Sequence, residues 1–423
     1  MAIEAANSGV ARRLGLGDAV VIGLGSMIGA GIFAALGPAA ATSGSGLLIG
    51  LLVAAVVAYC NAVASARLAA RYPQSGGTYV YGRERLGPFW GYLAGWSFVV
   101  GKTVSCAAMA LTVGAYACPE HARTVAVAAV AALTAVNCRG VQKSAILTRV
   151  IVAVVLAVLT AVVVSATGVG ALVAGKLAVG SDVTVYGVLQ AAGLLFFAFA
   201  GYARIATLGE EVRDPQRTIP LAIPMALGLA LLVYAAVATT ALAVLGPEAM
   251  AASVAPLTDV ARETGVPGLV VAVAIGGAVA ALGSLLSLIL GVSRTTLAMA
   301  RDGHLPAPLA AVHPRFQVPH HAEIAVGVVV AVLVLAIDVR GAIGFSSFGV
   351  LLYYAIANAS AWTLTPDERR PARLVPVVGA GGCVLLAFTL PWQSVAAGAV
   401  VAGLGAAVYV IRQQLTGGQG DVR

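Results

Sequence analysis

The sequence predicts an all-α polytopic membrane protein that crosses the bilayer about twelve times, with its first and sixth helices interrupted near mid-depth. Three observations lead there. Of 423 residues, 60% are hydrophobic and only 10% charged, whereas soluble domains run about 25% charged. The apolar residues fall into runs of roughly the 20 residues that span a bilayer. Two of those runs carry a cluster of helix-weakening residues at their centre.

The runs cover 17–41, 46–66, 88–117, 123–137, 149–168, 185–205, 218–246, 267–299, 322–338, 342–361, 374–390 and 392–411. Of these, 123–137 and 374–390 are short for a full crossing. Basic residues orient the set. With the N-terminus inside, 19 of the 25 Lys and Arg face the cytoplasm, and four (Arg123, Lys176, Arg262, Arg340) face outside. The remaining two, Lys102 and Arg204, lie within spans. This asymmetry predicts an even number of crossings, both termini cytoplasmic, and residence in the cytoplasmic membrane. The formal charge of +8 is scattered over short loops, so it reports topology and gives no reason to expect a nucleic-acid partner. The opening MAIEAANSGVARRLGLG is too polar to read as a cleavable leader.

The first interruption is GLGSMIGAGIF, residues 23–33. Each glycine there weakens a helix by about 1 kcal/mol relative to alanine. One explanation is close helix packing, since Gly25 and Gly29 form a GxxxG pair. The other is backbone opened towards a ligand. The second interruption, LLFFAFAGYARIATLGEEVRDPQRTIP at 194–220, meets Ala200-Gly201-Tyr202 at mid-depth. Spans 1 and 6 stand five helices apart, so the units 14–168 and 184–361 have opposite orientations, as in an inverted repeat with its site between the broken helices. A segment 1–13 precedes them on the cytoplasmic side; two peripheral helices, 371–413, and a polar tail, 414–423, follow.

Unwound backbone in lipid must find partners. The N–H groups around Gly29, Ala30 and Gly31 begin the second half of span 1 and favour an anion such as a carboxylate. The carbonyls near Gly25 to Met27, and near Phe199 and Ala200, suit an ammonium group. Donors for an anion beside acceptors for a cation describe an α-amino acid.

The rest of the chemistry is sparse. The cysteines Cys60, Cys106, Cys118, Cys138 and Cys383 have no metal-binding spacing and read as small apolar core residues. His304, His313, His320 and His321 share one loop, where a solvated face is favoured over a metal site. There is no His-Glu-x-x-His, nucleophile elbow or Walker pattern. No enzymatic activity, catalytic residue, metal ligand or cofactor is expected.

At these residues the chain resembles the amino acid–polyamine–organocation superfamily, and bacterial permeases similar to cationic amino acid transporters in particular. The resemblance runs through LGLGDAVVIGLGSMIGAGIF (14–33), RYPQSGGTYVYGRERLGPFWGYLAGW (71–96), NCRGVQKSA (137–145), FFAFAGYARIATLGEEVRDPQRTIP (196–220) and SRTTLAMARDGHLPAPLAAVHPRFQVPH (293–320). It implies a leucine-transporter-like fold of two inverted five-helix repeats, working by alternating access. It further implies that Ser26, Ile28, Gly29, Ala30 and Gly31 hold a substrate carboxylate. Met27, Phe199, Ala200 and Tyr202, around the break at Gly201, would hold the amino group or line the side-chain pocket. YPQSGG and EEVRDPQR would be cytoplasmic gating loops. For Glu210 and Glu211, capping and pairing with Arg213 or Arg217 is preferred to substrate contact.

Two departures bear on coupling. Some proton-coupled relatives carry a lysine on span 5 that does the work of a bound cation; the corresponding position here is Val155. Relatives often have Glu-Tyr at 101–102, where this chain has Gly-Lys. An ionisable group at the depth of Lys102 is costly and by default functional, so Lys102 is expected to couple transport to protons. The alternatives are snorkelling, or a fixed cation paired with helix-end carbonyls. Ser284 and Ser287 on span 8 would suit a sodium site, but back-bonding to their own helix is the commoner state, so Na+ coupling is expected less than H+ coupling. Arg204 would either meet a substrate carboxylate or close a gate with an acidic partner, and the gate is favoured.

No acidic residue is expected in the core of any span, so a cationic side chain would find nothing to neutralise it. A decarboxylated amine would leave the anion site unfilled. The expected function is a secondary transporter for a neutral amino acid of small to medium size, with that amino acid and the lipid bilayer as its partners. The alternatives are an exchanger or cationic carrier without net ion coupling and, more distantly, a membrane sensor or channel. The oligomeric state is left open.

Overall fold

The structure, a computed structural model, describes residues 14–72, 76–140, 145–181, 183–206 and 212–417. Among these described residues, twelve apolar helices succeed one another. The first, α1, comes in pieces, Leu16–Met27, Ala30–Ala34 and Leu36–Ser43. Then follow α2 (Leu47–Arg71), α3 (Pro88–Ala117), α4 (Ala122–Cys138) and α5 (Ala145–Gly168). Next, α6 runs Val185–Phe199, with a 3-10 turn Ala200–Tyr202 and one further helical turn Ala203–Ala206. The rest are α7 (Pro215–Leu245), α8 (Leu269–Arg301), α9 (His320–Ala336), α10 (Val339–Trp362), α11 (Leu374–Thr389) and α12 (Trp392–Gly417).

Ten stretches are long and apolar enough to cross a bilayer, and α9 and α11 are shorter, at 17 and 16 residues. The run at 123–137 is longer than the sequence suggested, because a 3-10 turn at Pro119–His121 leads into α4 and brings the stretch to 20 residues. The run at 322–338 is shifted two residues towards the N-terminus, with its length of 17 residues unchanged. Ile337 is extended, and the Asp338 carboxylate accepts from the Gly341 N–H at 2.9 Å, which starts α10 two residues after α9 ends.

Helix α3 is the most enclosed, with 83% of its apolar stretch buried against 22% for α12. It packs on α8 and α10. Gly101 of α3 faces Gly349 of α10 so closely that a Cβ on Gly101 would sit 3.3 Å from the Gly349 Cα, the small-residue contact that lets helix backbones approach in lipid. Large apolar side chains such as Leu232, Leu335 and Phe388 point outwards, as they do where the surroundings are hydrocarbon.

Both expected interruptions are present. Helix α1 stops at Met27, Gly29 leaves helical geometry at ψ −135°, and the helix resumes at Ala30. The further step at Ala35 follows from Pro38, which has no N–H to offer the Ala34 carbonyl. In α6 the interruption is milder, a tightening to 3-10 pitch over Ala200–Tyr202. Leu14, ahead of α1, accepts a 2.9 Å hydrogen bond from the Arg213 N–H ahead of α7, tying together the approaches to both helices.

Candidate functional site

The two interruptions touch each other. A Cβ on Gly31 would lie 2.5 Å from the Ala198 Cα, and one on Gly29 would lie 1.7 Å from the Ser284 hydroxyl of α8. Gly29 and Gly31 therefore serve close packing, as a GxxxG pattern can, in addition to marking the break.

The carbonyls freed by the breaks have protein partners. The Tyr234 hydroxyl of α7 lies 2.5 Å from the Met27 carbonyl and 2.9 Å from the Ala198 carbonyl, its single proton shared between the ends of both first halves. Tyr354 of α10 reaches the Ala200 carbonyl at 3.4 Å, and Ser284 reaches the Gly25 carbonyl at 3.4 Å. Three hydroxyls from neighbouring helices thus do what water would do outside a membrane.

Beside this junction is a cavity of about 160 Å³. Ser26, Ala200 and Gly201 form its wall from the broken helices, with Phe98, Lys102, Ser105 and Met109 from α3 and Phe197 from α6. Helix α8 contributes Ser284, Ser287, Gly291, Arg294 and Ala298, a 3-4-3-4 spacing that puts them on one face. Arg204, Tyr353, Gly76 and, also from α8, Leu288 and Thr295 complete the described lining.

Seven sequence-predicted residues therefore meet at the cavity: Ser26, Lys102, Ala200, Gly201, Arg204, Ser284 and Ser287. Met27, Ile28, Phe199 and Tyr202 are buried in the surrounding core. Gly29 is closed over by Ser284 and Gly31 by Ala198, and Ala30 opens the outer segment of α1. Ser287 bonds back to the Gly283 carbonyl at 3.0 Å, whereas Ser284 reaches across to α1. Glu210, Glu211 and the PQS of YPQSGG lie outside the described residues.

Lys102 is 7% exposed and faces the cavity. Among the described residues no carboxylate comes within ion-pairing distance of it. Lys102, Arg204 and Arg294 make the described lining positive, with no acidic residue in it.

The expectation of no acidic residue concerned the cores of the spans. At the end of one span the structure also buries a carboxylate, Glu323 in the first turn of α9. It sits at the edge of the run 322–338, where sequence gives no sign of burial but the fold packs α4 and α8 against α9. Arg294 and Tyr234 were also not singled out. The α8 spacing from Ser284 to Ala298 was the signal for Arg294; Tyr234, in an otherwise apolar run, had none.

Comparison with known proteins agrees with this architecture. Residues 14–411 match the amino acid permease family. An uncharacterized transporter of Mycobacterium tuberculosis is 72% identical over 405 residues, covering 96% of this chain and 92% of the relative. The methylthioribose transporter of Bacillus subtilis is 25% identical over 442 residues, with 97% and 95% covered. The vacuolar cationic amino acid transporter 2 of Arabidopsis thaliana is 28% identical over 393 residues, 85% of this chain and 61% of the relative. With a match along nearly its whole length and two interrupted helices meeting beside a cavity, this chain belongs to the amino acid permease family of the amino acid–polyamine–organocation superfamily and is a multi-pass membrane transporter.

Proposed function

We propose that this chain carries a neutral amino acid of small to medium size across the cytoplasmic membrane by alternating access. One observation carries the substrate choice: the cavity beside the interruptions is lined by Lys102, Arg204 and Arg294, with no acidic residue among its described lining. Unit charges about 4 Å apart interact by about 4 kcal/mol at an effective dielectric constant of 20. A substrate carboxylate is drawn to such a wall, and a second positive charge on the substrate is repelled.

On this reading the carboxylate enters the cavity against the cationic groups and the Ser26 hydroxyl, while the backbone of Ala200 and Gly201 meets the amino group. The backbone at Gly29 becomes open once the Ser284 side chain turns aside, and that at Gly31 only if α1 and α6 separate at Ala198, so on this reading the carboxylate meets these donors in another conformation. Arg294, exposed at the cavity's edge, lies at the mouth that on this reading faces the cytoplasm, in keeping with the excess of basic residues expected on that side. Lys102 supplies proton coupling, since an enclosed lysine without a carboxylate partner among the described residues can release its proton within a transport cycle.

Exchange without net ion coupling is the second reading. Val155, buried at 2% exposure, leaves no titratable group where some relatives place a lysine. The deciding experiment is reconstitution into liposomes and uptake of radiolabelled amino acids under imposed proton or sodium gradients. Proton-driven uptake of alanine in preference to arginine is expected. Arginine uptake exceeding alanine uptake overturns the electrostatic reasoning, and uptake only into liposomes preloaded with amino acid establishes exchange.

A further inference from the structure

Helices α9 and α12 both pack on α3, and a groove of about 640 Å³ lies between them. Val99 and Thr103 of α3 form its floor, Val329 and Leu333 of α9 one wall, and Ala397 and Val401 of α12 the other. Thr103 bonds back to the Val99 carbonyl at 2.7 Å, so the floor presents hydrocarbon. No charged side chain is in the described lining. A groove without polar partners does not hold water, and in a bilayer it fills with hydrocarbon. Its length suits one acyl chain. Ala325 and Ile337 of α9 both line it, and their spacing along the helix is about 18 Å, against about 15 Å for half of a typical hydrocarbon layer.

The two ends differ in charge. At one end lie Leu305 and Leu309, beyond α8. Arg412 is on the same face of α12 as Val401; it is exposed and donates to the Gly303 carbonyl at that end. His321 donates to the Pro308 carbonyl there at 2.9 Å. Nearby Asp302 is bridged by Arg83 at 3.0 Å and by Tyr79. Thr296 of α8 also lines the groove; it is 4% exposed, and its hydroxyl has no hydrogen-bond partner among the described residues. At the opposite end are Ile337 and Gly341. Exposed Asp338 lies between these two in sequence, and Arg340 is turned to the Ala251 carbonyl. An anion is therefore favoured at the Arg412 end and disfavoured at the other.

We propose that this groove binds one anionic phospholipid from the leaflet at the Arg412 end, the cytoplasmic leaflet in the orientation given above. One acyl chain lies between α9 and α12, the phosphate meets the Arg412 guanidinium, and the Thr296 hydroxyl donates to an ester carbonyl. The site is separate from the transport cavity but shares its walls. Lys102 and Thr295 line the cavity, while their neighbours Thr103 and Thr296 line the groove. The lipid thus backs the two helices, α3 and α8, that enclose the cavity.

Native mass spectrometry of the purified full-length protein tests this, with phosphatidylglycerol and phosphatidylcholine of identical palmitoyl and oleoyl chains added in turn. The wild type is expected to retain one phosphatidylglycerol per chain, bound at least about fivefold more tightly than phosphatidylcholine. Arg412→Gln is expected to bring the two lipids within about twofold of each other, and Arg412→Lys to keep the preference. Val329 is 49% exposed, so Val329→Trp fills the groove from a lipid-facing position and is expected to lose the retained lipid of either kind. Val329→Phe takes its place should the tryptophan variant fail to fold. Equal retention by the wild type and the filled variant overturns the proposal, as does an unchanged preference in Arg412→Gln. Lipid bound to the wild type in no fixed number also overturns it. So does a lipid-free dimer that Val329→Trp abolishes, because the groove then seats a second copy of the chain. None of these readouts requires transport, so they stand apart from the test of the transport reading.

Discussion

Gly201 rests directly on the Ser26–Met27 peptide: a Cβ there would lie 2.2 Å from the Ser26 carbonyl oxygen and 2.7 Å from the Met27 nitrogen. Both neighbours are backbone, so no flexible side chain can give way. Gly201→Ala is expected to force the two interruptions apart, at a cost of about 1–3 kcal/mol for overpacking. Uptake into liposomes should fall at least about tenfold, and the melting temperature in detergent should drop. Wild-type uptake by this variant would contradict the contact.

Tyr234→Phe removes the one proton shared by the Met27 and Ala198 carbonyls. Leaving buried carbonyls unpaired costs about 1–3 kcal/mol. Thermal unfolding in detergent is expected to show that loss, with transport reduced through stability. A melting temperature equal to that of the wild type would mean the hydroxyl holds nothing.

Lys102 can be tested through the difference between losing a proton and keeping one. Lys102→Ala and Lys102→Arg are both expected to abolish acceleration of uptake by an inward proton gradient, because arginine stays charged at every accessible pH. Counterflow exchange of labelled substrate is expected to survive in Lys102→Arg. Proton-driven uptake retained in Lys102→Ala dismisses the coupling role.

At the end of the bundle where α2 finishes, the backbone N–H of Thr365 and the side chains of Arg85 and Arg71 hold the Glu368 carboxyl down to about 2. A carboxyl depressed in the folded state stabilises fully above its unfolded value, about 4.3, and loses that contribution as pH falls towards 2. The melting temperature of the wild type is therefore expected to fall between pH 4.5 and pH 2. In Glu368→Gln, which starts lower at neutral pH, that part of the fall should be absent. Identical acid dependence would rule out the clamp.

The crossings and the two interruptions were legible because they are local properties: run length, glycine spacing and the position of Ala200-Gly201-Tyr202. Of the α8 lining, Ser284 and Ser287 were read from the sequence, whereas Gly291, Arg294 and Ala298, which recur on the same face, were not. What closes the breaks was not. Tyr234 and Tyr354 meet carbonyls at Met27 and Ala200, far away in sequence, and their chemistry is shared with any tyrosine in an apolar run. Glu323 was hidden for a related reason. One glutamate at the end of a hydrophobic stretch gives no sign of burial until α4 and α8 are packed against its helix.

The shortness of α9 and α11 has a mechanical consequence. At 1.5 Å per residue, 17 and 16 residues rise about 25 Å, less than the roughly 30 Å of a typical hydrocarbon layer. A typical bilayer meets such short helices by thinning beside them or by drawing flanking residues inwards, at a cost that grows with acyl chain length. Because α9 packs against α3 and α8, which wall the cavity, bilayer thickness bears on the same helices that enclose the cargo.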